Sequence, residues 1–399
     1  MEYKTYKLGT CFSLIENGAI IKQRKEAKGF PITRIETLSH GKFNRDKLGH
    51  ADIFDTTPYK RYILEDKDLI MSHINSRAFL GRTVLYRKKG NEQIIHGMNV
   101  LRIKTNEQFL DPVFASYLFK TSHFKKAIDS IRKDAINQSS INIFDICNIQ
   151  ISLPSITEQR KISHALQLID KKIETNHLIN DNLEAMAKQL YDYWFVQFDF
   201  PNEEGKPYKS SGGAMVWNDK LKREIPKEWM ASNYTDLFTI GNGQTMPQNE
   251  GLVPAYGGNG IVKMVEISNY PACIIIGRVG ANCGSIHYSK VPCWVSDNAI
   301  SICSKNDDWQ PFLFYSLKLY NLSKNKGGSS QPLITHEALK HLYFPMSEKH
   351  INQFCHIVNE LQDLIYSNQQ EILKLTKQRD EFLPLLMNGQ ATVNYHLLQ

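Results

Sequence analysis

The chain has 399 residues, of which 42% are hydrophobic and 22% charged, with a formal net charge of +7. The composition is typical of a globular protein, and the length suggests two or three domains. No apolar run approaches the ~18 residues of a membrane helix, and the charged first residues precede no apolar segment, so we expect neither a membrane span nor a secretory signal.

Residues 1–153 are predicted to form the first of two mixed α/β domains. Short apolar runs such as 68–71 and 84–86 are typical of strands, and a helix is predicted at 112–121. Residues 1–150 contain 25 Lys and Arg against 16 Asp and Glu, a net charge of +9. This basic excess favours a polyanionic partner, although a merely solvated surface would show the same charge.

The strongest pattern is an amphipathic segment that repeats at an offset of 192 residues. Residues 154–198 and 346–389 both carry apolar side chains at alternating spacings of four and three, which is the pattern of a coiled-coil seam. The predicted seam residues are Leu166, Ile169, Ile173, Asn176, Leu183 and Leu190 in the first segment and Val358, Leu361, Ile365, Asn368, Leu375 and Phe382 in the second. We predict two helices, each about 60 Å long, that pack on each other; the alternative is that each packs only on a neighbouring domain.

Between the helices, residues 199–229 have the Pro, Gly and Ser content of a connector. A second mixed α/β domain is predicted at 230–345, with strands at 273–276 and 299–302 and a helix at 311–321. It contains eight basic and seven acidic residues and is therefore close to neutral. The phrase at 10–18 (TCFSLIENG) returns at 235–243 (TDLFTIGNG), which indicates an internal two-fold pseudo-repeat. Residues 390–399 are predicted to be a C-terminal tail.

Catalytic and metal-binding patterns are weak. Four of the seven cysteines recur every ten residues from Cys273 to Cys303, but no C-x2-C pair accompanies them. We therefore predict that they are buried core residues in a reduced cytoplasmic protein, with no metal site. The segment at 55–59 (DTTPY) is similar to an adenine methyltransferase motif but lacks its first proline, and no glycine loop for a methyl donor or for ATP accompanies it. We predict no catalytic residues and no cofactor in this chain.

The remaining polar residues are of the types that contact nucleic acids. Arg and Lys suit phosphates or guanine edges, while Asn and Gln suit adenine edges or the backbone. The candidate DNA contacts are His73, Arg77, Arg82, Arg87, Lys88, Lys89 and Gln138 in the first domain and Arg278, Asn282, Lys324, Lys326 and Gln331 in the second. For each one taken singly, a solvated surface residue is the competing interpretation.

Five segments together carry a family resemblance: 153–162 (LPSITEQRKI), 189–201 (QLYDYWFVQFDFP), 217–229 (WN…IPKEW), 276–280 (IGRVG) and 382–389 (FLPLLMNG). With them, essentially the whole chain resembles the specificity (S) subunit of type I restriction-modification enzymes. The resemblance implies an α+β fold with two target recognition domains, separated by two long helices that form an antiparallel coiled coil.

The resemblance also implies a function without catalysis in this chain. Each recognition domain would read one half of a split double-stranded DNA target, and the helices would dock two methyltransferase (modification) subunits. Those partners would carry S-adenosylmethionine, and restriction subunits would add ATP- and Mg2+-dependent cleavage, as a defence against foreign DNA. The second helix start at 347–351 (SEKHI) lacks the Glu-Gln pair of the first, which weakens the expectation of docking there.

Two other interpretations remain open. A free-standing coiled-coil adaptor that binds DNA or protein without methyltransferases would show the same seam, but it would not need two divergent bodies in similar frames. An enzyme with a disguised nuclease or methyltransferase site would need carboxylates or a donor pocket that converge in a cleft.

Overall fold

The computed structural model describes residues 2–22, 28–136, 138–233, 236–280, 282–320, 322 and 334–393. Its contacts divide the chain into two compact units, one of Met1–Ile173 with Leu373–Gln399 and the other of Glu174–Ile372. Within the described ranges, none of the helices combines the length and the apolar content needed to cross a membrane.

The first unit contains eleven strands in its described residues: β1 (Lys4–Lys7), β2 (Phe12–Asn17), β3 (Pro31–Ile32), β4 (Gly49–His50), β5 (Leu69–Met71), β6 (Ile74–Asn75), β7 (Thr83–Leu85), β8 (Leu101–Thr105), β9 (Lys133–Asp134), β10 (Ser139–Ser140) and β11 (Gln150–Leu153). Its helices are α1 (Pro112–Leu118), α2 (Ser122–Ser130), α3 (Ile143–Asn148) and the first half of α4 (Ile156–Tyr191). The main sheet is antiparallel in the order β2-β8-β5-β7.

The second unit contains eleven strands in its described residues: β12 (Met215–Asn218), β13 (Arg223–Pro226), β14 (Met230–Asn233), β15 (Phe238–Asn242), β16 (Val253–Gly257), β17 (Gly260–Val265), β18 (Cys273–Gly277), β19 (Ile286–Ser289), β20 (Trp294–Val295), β21 (Ala299–Ser304) and β22 (Tyr343–Met346). Its helices are α5 (Gln310–Leu319), α6 (His336–Lys340) and most of α7 (Glu348–Met387). The main sheet again has four antiparallel strands, in the order β15-β21-β18-β19.

The two main sheets share their register as well as their order. Asn17 lies opposite Leu101 in the first sheet, and Asn242 lies opposite Ile300 in the second. A two-stranded ladder accompanies each sheet, formed by β1 with β11 and by β14 with β22. The inward faces of β5 and β8 pack on α1 in one core, and those of β18 and β21 pack on α5 in the other. The predicted internal pseudo-repeat is therefore present in the fold.

The first turn of α4 is fixed to the start of α1. Pro112 occupies the first turn of α1, and the Asp111 side chain accepts a hydrogen bond from the Phe114 N–H at 2.8 Å, as expected of a helix N-cap. The buried Gln159 side chain accepts from the Asp111 N–H at 2.9 Å and donates to the Phe109 carbonyl at 2.8 Å. Gln159 therefore anchors α4 to the first domain.

Within each unit, α4 and α7 run antiparallel. In the first unit Arg379 donates to Asp170 at 2.9 Å. In the second, Asn176 donates to Glu371 at 2.7 Å and Asn368 donates to Asn180 at 2.9 Å. In these contacts the residue number on α7 rises as the residue number on α4 falls, which is possible only when the two helices run antiparallel.

Most of the predicted seam faces inward. Leu166 and Val358 are fully buried, Ile173, Asn176 and Ile365 are buried, and Ile169, Leu183, Leu190, Leu361, Asn368 and Leu375 are half-buried. The prediction that Phe382 lies in the seam is wrong, because 45% of its surface is exposed. Leu386 and Met387 enter the core instead, with Leu383 packed against it. A straight helix turns by ~20° per heptad relative to a 3.5-residue repeat, which moves the inward face by one residue near its end.

The cysteines of the second unit lie in its interior. Cys273, Cys283 and Cys293 are buried and Cys303 is half-buried. The sulfurs of Cys273 and Cys293 are 3.5 Å apart as free thiols, in a cluster with Tyr256 and Val295. These residues pack as small hydrophobic side chains, as the sequence predicts.

Candidate nucleic-acid interface

One end of each main sheet is formed by loops that bring polar side chains together. In the first unit these loops are 18–19 after β2, 72–82 between β5 and β7, and 96–100 before β8. In the second they are 243–244 after β15, 278–280 and 282–285 between β18 and β19, and 296–298 before β21. Antiparallel pairing places these three segments side by side. We call them the first and the second loop end.

Both loop ends are braced in the same way. An isolated parallel β-bridge joins Ala19 to Gly97 in the first, and the equivalent bridge joins Gln244 to Ser296 in the second. The preceding residue is glycine in each case. A Cβ atom on Gly18 would lie 2.3 Å from the His96 carbonyl oxygen, and one on Gly243 would lie 1.7 Å from that of Ser296. Only glycine therefore permits this close approach of the two backbones.

Buried charges lie beneath the first loop end. Arg102, on the central strand β8, is 1% exposed and donates to Asp68 at 2.7 Å, with Glu16 3.9 Å away. Burial raises the pKa of Asp68, although Arg102 opposes that shift. The His96 ring lies 3.4 Å from the Glu16 carbonyl, and burial lowers its pKa to about 3, so the imidazole is neutral at neutral pH. The position equivalent to Arg102 in the second sheet is Ser301.

His73 does not fit its prediction as a DNA contact. Its side chain is 9% exposed, its Nδ1 atom is buried with no partner among the described residues, and burial lowers its pKa. The backbone carbonyl of His73 accepts a hydrogen bond from Ile141. His73 is therefore part of the interior below the loop.

The other predicted residues of the 72–82 loop reach the surface. Arg77 is exposed, with Asp129 at 3.9 Å. Arg82 lies over the Phe79 ring at 4.2 Å and donates to the Leu38 carbonyl at 3.3 Å. These contacts fix the guanidinium of Arg82, whereas that of Arg77 stays accessible to a ligand.

Arg82 also lines a cavity of about 230 Å³ together with Lys120 and Lys125, and no carboxylate is among its lining residues. Both lysines were missed because they follow α1 in a stretch that looks like an ordinary solvated helix. The exposed Gln138 precedes β10, which pairs with β6 in the 72–82 loop. The structure therefore brings Arg77, Arg82 and Gln138 to one end of the sheet.

Three other predicted residues lie at the opposite end of the same sheet, after β7. Arg87 is exposed and lies 3.6 Å from Asp66. The backbone N–H groups of Lys88 and Lys89 donate to Asp66 and Glu92, and both residues are exposed. Arg87, Lys88 and Lys89 are thus separated from the first loop end by the length of the strands.

The second loop end contains two of the predicted contacts. Arg278 is half-buried, its N–H donates to the Asn298 carbonyl at 2.9 Å, and its own carbonyl accepts from Ile334. Asn282 is exposed. The predicted contacts Lys324, Lys326 and Gln331 lie outside the described residues.

Asn99 and Asn298 were not among the predicted contacts, although both are exposed on these loops. The detectable signal was a second, fainter repeat: GMNV at 97–100 precedes β8, and SDNA at 296–299 leads into β21, whose first residue is Ala299. An offset of 199 residues relates them, not the 192 of the helices, so a search at one offset does not find both.

The chemistry of both loop ends is that of binding. Their described side chains include guanidinium and amide groups, which donate and accept hydrogen bonds. In the described part of the chain, His, Cys, Asp and Glu side chains form no group of three or more that could hold a metal ion. Two copies of one braced platform, each with different polar loops, define a protein with two domains of the same architecture.

The family model for the type I restriction modification DNA specificity domain matches residues 1–185 and 226–381, and the chain belongs to this family. It is thus the DNA specificity subunit of a type I restriction-modification system, a non-catalytic part of the enzyme. The family match indicates no cofactor site in this chain.

Relatives and a solved structure agree with this assignment. The chain is 27% identical to a Methanocaldococcus jannaschii protein assigned as the MjaX type I specificity subunit, over 98% of this chain and 94% of the relative. It is also 27% identical to the MjaIX type I specificity subunit of the same organism, over 69% and 68% of the two chains. The crystal structure of the type I S subunit from M. genitalium has a TM-score of 0.61 over 96% of both chains at 17% identity, which confirms the predicted fold class.

Proposed function

We propose that the first and second loop ends each read one half of a split double-stranded DNA target. The observation that carries this proposal is the duplicated platform. Sheet order, register and glycine brace are the same in both units, whereas the residues on the loops differ. A shared scaffold with divergent loops suits two domains that perform one task on two different sequences.

The proposed division follows from the same repeat. Recognition domains at 1–153 and 230–345 alternate with spacer helices at 154–198 and 346–389, with a connector at 199–229 and a tail at 390–399. A target that lies on chromosomal and invading DNA places the protein in the cytoplasm, where its free cysteines remain reduced.

The proposed DNA contacts fall into two groups. Arg77, Arg82 and Gln138 on the first loop end, supported by Lys120 and Lys125, would bind phosphates and bases of one half-site. Arg278 and Asn282, together with the predicted Lys324, Lys326 and Gln331, would serve the other half-site. Arg87, Lys88 and Lys89 would contact the backbone farther along the duplex. Because the second domain is nearly neutral, it would depend less on phosphate contacts than the first.

The proposed partners are two methyltransferase subunits that dock on the long helices, with restriction subunits in the full complex. Exposed apolar side chains on the helices support this: Ile179 and Met186 on α4 and Ile357 and Leu364 on α7 are 40–54% exposed, and each pair is seven residues apart. Such stripes are typical of a surface that a further helix covers. S-adenosylmethionine would then bind to the modification subunits, and ATP and Mg2+ to the restriction subunits.

The test is to co-express the chain with its modification subunit and to map N6-methyladenine in the host DNA. We expect one split motif with methyladenine in both halves, and its loss when this chain is omitted. A complex that methylates without sequence preference, or a chain that binds no modification subunit, would contradict the proposal and favour the free-standing adaptor.

A further inference from the structure

The two loop ends present an asparagine at the same place. Asn99 lies two residues after the bridge at Gly97 and two residues before Leu101 of β8. Asn298 lies two residues after the bridge at Ser296 and two residues before Ile300 of β21. Both are exposed, and the residue that follows each of them is fully buried. The backbone at these two positions is therefore held firmly while the side chains face solvent.

These two amides differ from asparagines that form turns. The side chains of Asn44, Asn142 and Asn306 each accept a hydrogen bond from a backbone N–H two or three residues ahead, which is the usual way in which asparagine forms a turn. Neither Asn99 nor Asn298 makes a side-chain hydrogen bond to any residue that the structure describes. Turn formation does not account for them.

The neighbours of the two asparagines have mixed chemistry. Asn99 lines a cavity of about 360 Å³ with Thr33, Arg34 and Glu36. Asn298 follows the exposed Asp297, and its carbonyl accepts from Arg278. A phosphate would be repelled by the carboxylate in each set. Base edges in the major groove instead combine donors and acceptors, and amide, guanidinium and carboxylate groups match adenine, guanine and cytosine in turn.

We propose that Asn99 and Asn298 are equivalent base-reading residues, one for each half-site, and that each amide pairs with the edge of an adenine. Asparagine suits this role because its carbonyl and amino groups bind adenine N6 and N7 together. The inference rests on the proposed function, and it names one residue in each domain that reads a base. The firm backbone limits the backbone entropy that is lost when each amide binds its base.

The experiment maps the methylated motif for wild type, Asn99→Ala and Asn298→Ala, each co-expressed with the modification subunit. We expect Asn99→Ala to relax one position in one half of the motif, with a roughly 5- to 100-fold loss of preference there. Asn298→Ala should relax one position in the other half only. The unchanged half in each variant shows that the complex has folded and assembled.

The matched control is Asn91→Ala, because Asn91 is an exposed asparagine in the turn region beyond β7, away from the loop end. It should leave both halves of the motif unchanged. The inference is overturned if the two variants retain the wild-type motif, or if each relaxes both halves equally. A wild-type complex without a split motif would contradict the proposed function and the inference together, so the two failures are distinguishable.

Discussion

At the scale of single residues, several arginines of the basic first domain are already paired with carboxylates of the same domain. Arg102 pairs with Asp68, Arg45 with Glu92, and Arg132 with Asp129 and Asp134, all by contacts of 2.5–2.7 Å. The Arg45 hydrogen bond lowers the pKa of Glu92 to about 2. A count of charges from sequence cannot separate such paired arginines from free ones, because the partners lie 34 and 47 residues away for Arg102 and Arg45.

His73 shows the same limit for candidate contacts. Its residue type and its place beside a predicted strand-turn suggest a surface role, but it is buried. Conversely, Arg278 at the equivalent place after β18 is half-buried and reaches the loop surface. Which of two such residues faces solvent depends on the packing of the loop, which is not visible in a single sequence.

The buried neutral His96 predicts an acid-sensitive stability of the first domain. Its folded-state pKa of about 3 lies below the ordinary 6.5, so the unfolded chain takes up a proton as the pH falls from 6.5 and the folded chain does not. The free energy of unfolding should therefore decrease toward acid pH, by at most about 1.4 kcal/mol per pH unit from this group.

His96→Val tests this, because valine is the buried residue at the equivalent position 295. Urea unfolding measured between pH 4 and 7 should show a flatter pH dependence for the variant than for wild type. Replacement of the exposed His123 by valine controls for the loss of an imidazole elsewhere. Equal slopes for wild type and His96→Val would show that His96 is not the group responsible.

At the scale of elements, the long helices were the most predictable feature and the sheets the least. A seam repeated over some 40 residues identifies each helix from local spacing alone. In contrast, β3, β4, β6, β9 and β10 are two residues long, too short to show an alternating pattern. Sheet order follows from pairing between distant segments, such as β1 with β11. The repeated phrases at 10–18 and 235–243 indicated that both sheets would be alike.

The helix periodicity also could not show which polar residues would meet. Asn180 and Asn368 pair across the helices, whereas the 192-residue offset aligns Asn368 with Asn176 instead. The offset relates the two helices as copies, but the antiparallel contact is made by different positions. Buried asparagines of this kind fix the register of paired helices at some cost in stability.

We predict opposite effects for single and double replacement of this asparagine pair. Asn180→Leu alone should lower the free energy of unfolding by about 1–3 kcal/mol, because it leaves the Asn368 amide unpaired in a mostly buried place. Asn180→Leu with Asn368→Leu should recover that loss or exceed wild type, because well-packed apolar residues replace a polar pair. Thermal and urea unfolding of the three proteins measure this, and a double variant less stable than the single one would contradict it.

At the scale of the whole molecule, the duplicated platform is what connects the fold to the function. Both units carry the same strand order and the same glycine brace, and they differ in the side chains on their loops. The class of protein and its two-domain plan could be predicted from the sequence, since these depend on long repeats and on shared segments. The bases that each domain reads could not, because that depends on how loops from three separate parts of the chain meet.

The measurement that tests the central claim most directly is the affinity of the assembled methyltransferase complex for four DNA duplexes, once methylation mapping has identified the motif. One duplex carries both half-sites, two carry a single scrambled half-site, and the fourth carries none. Two independent reading domains predict that scrambling either half weakens binding, and that the fourth duplex loses the product of the two separate factors to within about twofold. Binding that ignores one half-site, or that falls to the level of the fourth duplex when either half alone is scrambled, would contradict the account.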